Sequence, residues 1–351
     1  MQEINKNAPV LVTGATGYIA GWIIKKLLEK NIPVHATIRN KDQKEKIAHL
    51  DKMASNSSSD ITYFEADLLK ANSFDKAMEG CELVIHTASP FFLSPKDPQK
   101  DLLDPAVNGT KNILNSVNNT PSVKRVVLTS SVAAIYGDAK DAQELPEQTL
   151  NESHWNTTSS ANHQPYSYSK TLAEKAAWDM HKQQDRWSLA VINPSFVMGP
   201  ATNPHANFQS KLFLQQLGNG TMKSGVPKSQ IGIVDVREVS EAHIQAGFDT
   251  KAQGRHILTS KTSSFLEMAQ ILRKGFGDQF PIPKRTVPKW LLWLVGPTVG
   301  YSRKMTTNNI GYSFKLDNRK SIEALGVQYR PIEESLTEFF QQLVDEKLIK
   351  K

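Results

Sequence analysis

The residues with the plainest chemical potential are Tyr166 and Lys170, four positions apart in Tyr166-Ser-Tyr-Ser-Lys170, together with Ser131 at the end of Thr129-Ser130-Ser131. Residues four apart on a helix share a face, with Cβ atoms about 6 Å apart. A phenol with a reference pKa near ~10 is a poor acid at neutral pH, and a neighbouring ammonium stabilises its anion and lowers that value. Tyr166 is therefore expected to give a proton to a carbonyl oxygen. Ser131, positioned beforehand, can hydrogen-bond the same oxygen as charge develops on it. Tyr-x-x-x-Lys by itself is a frequent accident, and it gains meaning from the strand-end serine and from a glycine turn far upstream. Tyr168 is the competing phenol, but it stands two residues before Lys170 and faces another way.

That glycine turn lies in the stretch Val10 to Ala20, where an apolar run passes through Gly14 and Gly17 into an amphipathic pattern. It reads as strand, tight turn and helix start. Gly14, Gly17 and the small Ala20 let the backbone approach a diphosphate, and the free N–H groups of the turn and first helical residues (Thr16, Gly17, Tyr18, Ile19) supply donors. The spacing differs from the G-x-G-x-x-G fingerprint. Strands and helices then alternate: strand Val34 to Ile38, a Lys-rich helix Asp42 to Met53, strand Ile61 to Glu65, strand Glu82 to His86, a helix from about Leu102 to Asn118, strand Lys124 to Thr129, a helix Tyr166 to Lys182 and strand Leu189 to Ile192. This rhythm specifies an α/β fold, a doubly wound parallel sheet of the Rossmann kind. Beyond Pro194 it breaks into Pro- and Gly-rich stretches. The expected organisation is a dinucleotide-binding domain over 1–193, with a return segment near 230–256, and a smaller C-terminal α/β substrate lobe from 194–229 and 257–351.

Further candidates sit at the ends of the predicted strands. Arg39 follows the second strand, where an acidic residue would hold the ribose 2′-hydroxyl of NAD; an arginine suits a 2′-phosphate, and Lys46 can join it. NADP, as NADPH, is the expected cofactor. Asp67 and Leu68 follow the third strand, in reach of the adenine amine. Thr87, Ala88 and Ser89 follow the fourth, small enough for close approach to ribose or phosphate. His86 reads as structural, having no metal-like partner at ligand spacing.

The chain has 351 residues, one cysteine (Cys81) and a formal charge of +7 from 42 Lys and Arg against 35 Asp and Glu. A single cysteine excludes an internal disulfide, and a polar start without a charged-then-apolar leader points to the cytoplasm. The positive excess reads as spread along the chain, so no nucleic-acid partner is expected. Trp290 to Val295 is far shorter than the ~20 residues that cross a bilayer and reads as core or pocket wall, with no membrane role. No Gly-x-Ser-x-Gly elbow, His-Glu-x-x-His helix or cysteine cluster occurs, so no hydrolase or metal site is expected.

Taken in order, Gly14-x-x-Gly17, Arg39, Asp67-Leu68, His86-Thr-Ala-Ser89, Asn108-Gly-Thr110, Thr129-Ser-Ser131, Tyr166-x-x-x-Lys170 and Asn193-Pro194 resemble the extended short-chain dehydrogenase/reductases. Within them the chain is similar to the dihydroflavonol reductase and cinnamoyl-CoA reductase group, which includes aldehyde and ketone reductases. The resemblance implies hydride transfer from NADPH to a carbonyl, with Tyr166 as acid, Lys170 also holding the nicotinamide ribose and Ser131 orienting the substrate oxygen. It further implies Pro194 and Val197 beside the nicotinamide, Asn108 at a helix kink supporting a water behind Lys170, and Ser89 to Pro98 as a loop over the substrate. Two departures bear on the substrate: Gln164-Pro-Tyr-Ser-Tyr-Ser-Lys170 lacks the block typical of cinnamoyl-CoA reductases, and the apolar Val132-Ala-Ala-Ile135 lacks the asparagine that grips a flavonoid. The expected substrate is a small or medium aldehyde or ketone, bound by a monomer or homodimer. The alternatives are a nucleotide-sugar epimerase or dehydratase with retained NAD, and a non-catalytic NADP-sensing protein. The segment 137–164 reads as a long loop, a place to look for a flap.

Overall fold

The first strand, β1 (Val10–Thr13), divides its side chains between two cores: Val10 and Val12 pack into one apolar cluster and Leu11 into another. Successive strand residues point to opposite faces, so a strand apolar on both is covered by helices on both. The computed structural model, which describes residues 2–89 and 97–349, shows that arrangement. After β1 come α1 (Tyr18–Glu29), β2 (Val34–Ile38), α2 (Lys44–Ala54), β3 (Ile61–Glu65), β4 (Leu83–His86), α3 (Asp104–Asn119), β5 (Arg125–Thr129), α4 (Pro165–His181), β6 (Ser188–Pro194), α5 (Val236–Phe248) and β7 (Gly254–Leu258). The seven strands form one parallel sheet in the order β3-β2-β1-β4-β5-β6-β7. The order reverses between β1 and β4, and ligands of such sheets lie beyond the carboxyl ends of the strands at that point.

Helix α1 buries Ala20, Ile23, Ile24, Leu27 and Leu28, the spacing of one helical face. It packs against α5, and Lys26 reaches Glu241 there at 3.0 Å. Strand β7 enters the sheet from far downstream and is joined to β6 from Gly254–Ala190 to Leu258–Pro194.

A second body of structure follows β6. The strands Phe196–Met198, Gln230–Asp235 and Lys261–Ser264 form a three-stranded sheet, and the helices Gln209–Gly218, Phe265–Phe276 and Ile332–Asp345 surround an aromatic-rich core containing Phe280, Phe339 and Phe340. The Tyr18 ring joins the two bodies: it stacks on Phe208 at 4.2 Å between centroids, and its hydroxyl donates to the Gly199 carbonyl.

Three expectations change. The segment 137–164 is built rather than loose, holding short helical turns and the strand Thr149–Leu150, paired with Lys315–Leu316. Its anchor is Asp138, 1% exposed, whose carboxylate accepts from His163 at 2.8 Å, Asn308 at 2.8 Å and Asn309 at 2.6 Å. The Trp290 to Val295 run forms most of an outer helix, Lys289–Val295, with Leu292 buried and Trp290 65% exposed. It is not core, because its apolar side chains exceed what one short helix can turn inward. The positive excess is uneven as well: residues 279–316 contain Lys284, Arg285, Lys289, Arg303, Lys304 and Lys315 and no acidic residue. Among the described residues no helix is long and apolar enough to cross a membrane.

Candidate active site

The site helix α4 starts with Gln164 in the left-handed conformation, φ 54°, followed by Pro165 in the first turn, whose fixed φ suits that place. The Gln164 amide donates to the Gly137 carbonyl and, at 2.6 Å, to Asp138, so the anchored 137–164 segment fixes where α4 begins. Tyr166 then stands in the first turn with 43% of its surface open, and Lys170 follows one turn later, half-buried. Ser131 arrives at the end of β5, where its Oγ caps the short turn Val132–Ala134 by accepting the Ala133 N–H at 3.1 Å.

Ser131 and Tyr166 share a hydrogen bond, and Lys170 lies nearby. Desolvation around the hydroxyl pushes the Tyr166 phenol above its ordinary value, and a hydrogen bond with Ser131 opposes that rise. Burial lowers the Lys170 ammonium to about 8, against the pull of Glu174 one turn further along. The expectation that Lys170 depresses the Tyr166 pKa is not met in this state. The ammonium lies 5.9 Å from the centre of the phenol ring and gives its hydrogen bond to Ser89 Oγ at 3.1 Å, so desolvation prevails at the phenol.

The dinucleotide candidates gather at the carboxyl ends of the strands. Gly14 adopts φ +68°, and a Cβ there would come to 3.0 Å from Ala88 Cα, so glycine is required both by conformation and by space. Gly17 N–H closes onto the Gly14 carbonyl at 2.8 Å and leads into α1, which has neither a side-chain cap nor an acidic residue in its first turn. An uncapped helix start offers free N–H donors to an anion. Thr16 and Ile19 lie along this turn. The Tyr18 side chain is committed to Gly199 and Phe208, which leaves its backbone for the site. Thr13, buried beneath, knits the next strand end in place: its Oγ1 meets His86 Nδ1 at 2.8 Å and accepts the Ala88 N–H at 3.1 Å, while Thr87 Oγ1 donates to its carbonyl at 2.6 Å. Burial drives His86 down to about 3, so it is a neutral structural residue.

Arg39 is exposed just beyond β2 and makes no ion pair among the described residues; Lys46 is exposed on α2. Asp67 and Leu68 lie beyond β3, where the Asp67 carboxylate accepts the Leu69 N–H at 2.8 Å and the Leu68 carbonyl accepts from Asn112 at 2.7 Å. Pro194 ends β6, and Val197 pairs with Val234 in the second sheet. Glycine close approach, an uncapped helix start and an unpaired guanidinium are the chemistry of an NADP cradle, so the residues fit that cofactor. Among the described residues no cluster of acidic, His or Cys side chains could hold a metal.

Two carry-overs fare differently. Asn108 is exposed on a regular part of α3, and the irregular turn lies upstream, a π-helical turn over Gln99–Leu103. A cavity of about 20 Å³, the size of one water, does lie beside Lys170, lined by His86, Ser89, Thr110, Ser130 and Glu174 among others, without Asn108. Of the expected substrate loop, residues 90–96 lie outside the described residues.

The sequence reading passed over the polar layer beneath the site. Glu174, 1% exposed, accepts from Arg255 Nε at 2.5 Å and Asn193 Nδ2 at 2.8 Å. A buried acid four residues after Lys170 was a signal in the α4 pattern. Arg255, on a strand 81 residues further on, gives no local sign.

With this geometry in hand, comparison with known proteins finds that residues 10–246 match the model of the NAD dependent epimerase/dehydratase family. The chain is 34% identical to "Cinnamoyl-CoA reductase CAD2" of Medicago truncatula, over 99% of each chain. Among solved structures it is similar to the Candida albicans Gre2–NADPH complex (31% identity, TM-score 0.77, 96% of this chain and 99% of that one). It is similar as well to the yeast methylglyoxal/isovaleraldehyde reductase Gre2 complexed with NADPH (30% identity, TM-score 0.78, 97% and 99%).

Proposed function

The chain belongs to the NAD dependent epimerase/dehydratase family, and from that premise we propose that it reduces the carbonyl of a small or medium aldehyde or ketone at Tyr166, with NADPH as reductant. It is an NADPH-dependent oxidoreductase. When bound, the cofactor supplies the hydride. The chain's residues supply the rest. The uncapped start of α1 and the Gly14–Ala88 contact seat the diphosphate, and Arg39 with Lys46 takes the 2′-phosphate. Tyr166 gives its proton to the carbonyl oxygen, and Ser131 holds that oxygen as charge builds on it. Lys170, tethered to Ser89 at 3.1 Å, holds the ribose and keeps positive charge close to the phenol.

The observation that carries this reading is the Ser131–Tyr166 hydrogen bond with Lys170 5.9 Å from the phenol ring and bonded to Ser89, at the carboxyl ends of β4 and β5 beside the glycine turn. Substrate choice is assigned to the lobe built from 194–229 and 257–351, and the 1–193 part with its return segment is assigned the cofactor. The reading also places the chain in the cytoplasm, as a monomer or homodimer, where its single buried Cys81 has no disulfide to make. Arg39, exposed and without an ion pair among the described residues, and the reductase relatives favour this reading over that of a nucleotide-sugar epimerase. The deciding experiment follows NADPH oxidation by the purified protein across aldehydes, ketones and diketones, with NADH in parallel. Turnover with NADPH is expected, and its absence across the panel would sink the reading.

A further inference from the structure

Glu174 is a buried acid beside Lys170 that accepts from four side chains. It sits one turn after Lys170 on α4 with its side chain fully enclosed. Oε1 accepts from Arg255 Nε at 2.5 Å and Trp178 Nε1 at 3.3 Å; Oε2 accepts from Asn193 Nδ2 at 2.8 Å and from Ser130 Oγ. A buried carboxylate short of donors would be strongly destabilising, and here both oxygens are served.

The origin of those donors matters more than their number. Arg255 comes from β7, Asn193 from β6 and Ser130 from the residue after β5. The same Asn193 amide also donates to the Ser131 carbonyl at 3.1 Å. The Arg255 guanidinium continues outward to the carbonyls of Ala134 at 3.1 Å, Glu152 at 3.0 Å and His154, and stacks 3.9 Å from the Trp155 ring. One carboxylate thus connects the helix of Tyr166 and Lys170 to the strand end of Ser131 and to the anchored 137–164 segment.

We propose that Glu174 is a positioning residue of the reaction, locking the Ser130–Ser131 strand end to the helix that carries Tyr166 and Lys170 so that the three groups keep one register. This rests on the reductase reading. A misplacement near ~1 Å can lower a rate about a hundredfold, so a clamp of this kind has kinetic weight without touching substrate.

A purely structural brace would change stability alone, whereas Glu174 also acts on the charge of Lys170. Among the described residues the titratable groups around that ammonium are Tyr166 and Glu174 on α4 and His86 from β4, with Arg255 of β7 behind Glu174 and His243 of α5 bonded to Thr129. Burial takes His86 to about 3 and His243 to about 4, so neither changes charge near neutrality. Among the described residues Lys170 is left as the group that responds there.

The test is Glu174→Gln, which keeps the shape and removes the charge. NADPH affinity, read by protein fluorescence, is expected to stay within about twofold, and kcat to fall roughly 10- to 100-fold. The alkaline limb of kcat should move to lower pH, and Glu174→Asp should restore part of the loss. Independently of turnover, the NMR titration of Lys170 in protein carrying ¹³C-methylated lysines should shift to lower pH in Glu174→Gln. A folded Glu174→Gln with wild-type kcat, pH profile and Lys170 titration overturns the proposal. If that variant does not fold, Ser130→Ala removes one strand of the clamp: a drop in kcat at unchanged NADPH affinity supports it, and unchanged kcat overturns it. Wild-type protein inert toward every carbonyl would count against the reductase reading, while the Lys170 titration still reports on the clamp.

Discussion

Lys170 Nζ stands 3.1 Å from Ser89 Oγ, so the ammonium spans from α4 to the end of β4, next to the point where the strand order reverses. In the proposed reaction a lysine held there holds the ribose of the cofactor and keeps positive charge 5.9 Å from the phenol ring. Burial brings it to about 8. In the proposed reaction the ammonium is the working form; it is present below that value and lost as pH rises through it. The expected kcat profile is flat toward neutrality and declines above pH 8, and Lys170→Met should remove the decline together with most of the activity. A flat profile to pH 10 in the wild type would contradict this role.

Tyr166→Phe removes the proposed proton donor while leaving the ring on α4. General acid catalysis is worth roughly 10²- to 10⁴-fold, and a loss of that order in kcat is expected with little change in NADPH binding. Ser131→Ala should lower kcat as well, and it should do so without affecting the cofactor.

Arg39 is the exposed cation at the end of β2, unpaired among the described residues. Hydrogen bonds to charged groups contribute about 1.5–3 kcal/mol, which is roughly a 10- to 100-fold change in affinity. Arg39→Ala should raise KM for NADPH by that order and leave KM for NADH nearly unchanged. Equal effects on both cofactors would mean that the guanidinium does not read the 2′-phosphate.

Asp138 anchors the segment on which α4 rests. Burial alone would raise its carboxyl, but hydrogen bonds from Asn308, Asn309 and His163 hold it below its ordinary 3.8. A carboxylate depressed on folding contributes stability above its unfolded pKa and loses it as pH falls through the folded one. Asp138→Asn should therefore lower the melting temperature at neutral pH, by the equivalent of about 2–3 kcal/mol. The difference from wild type should shrink below pH 4. Melting curves at pH 7 and pH 3.5 measure it.

The parts of this molecule that repeat were readable in advance. Alternating apolar strands and helices gave the sheet, since it follows from local spacing, and small residues at strand ends marked the candidate cofactor edge. Tyr166 and Lys170 were legible as candidates because they share a helix face. Asp138 and Glu174 were not, because their partners, Asn308, Asn309 and Arg255, lie far away in sequence and no local pattern ties a buried acid to a donor on a distant strand. Trp290 misled for the opposite reason: an apolar run predicts burial, and its neighbours leave that helix face uncovered. The phenol was misjudged because spacing along a helix reports nearness and not where an ammonium sends its hydrogen bond.

Strand β7 supplies Arg255, and β7 is also the last strand to join the sheet. A chain leaving the ribosome presents β1 to β6, Tyr166 and Lys170 well before residue 255 exists, so Glu174 spends that interval without its guanidinium partner. Non-local pairings of this kind come late and leave sheet edges open meanwhile. The newborn chain thus carries Ser131, Tyr166 and Lys170 before it has the strand whose guanidinium braces Glu174, and Asn308 and Asn309, which anchor Asp138, follow later still.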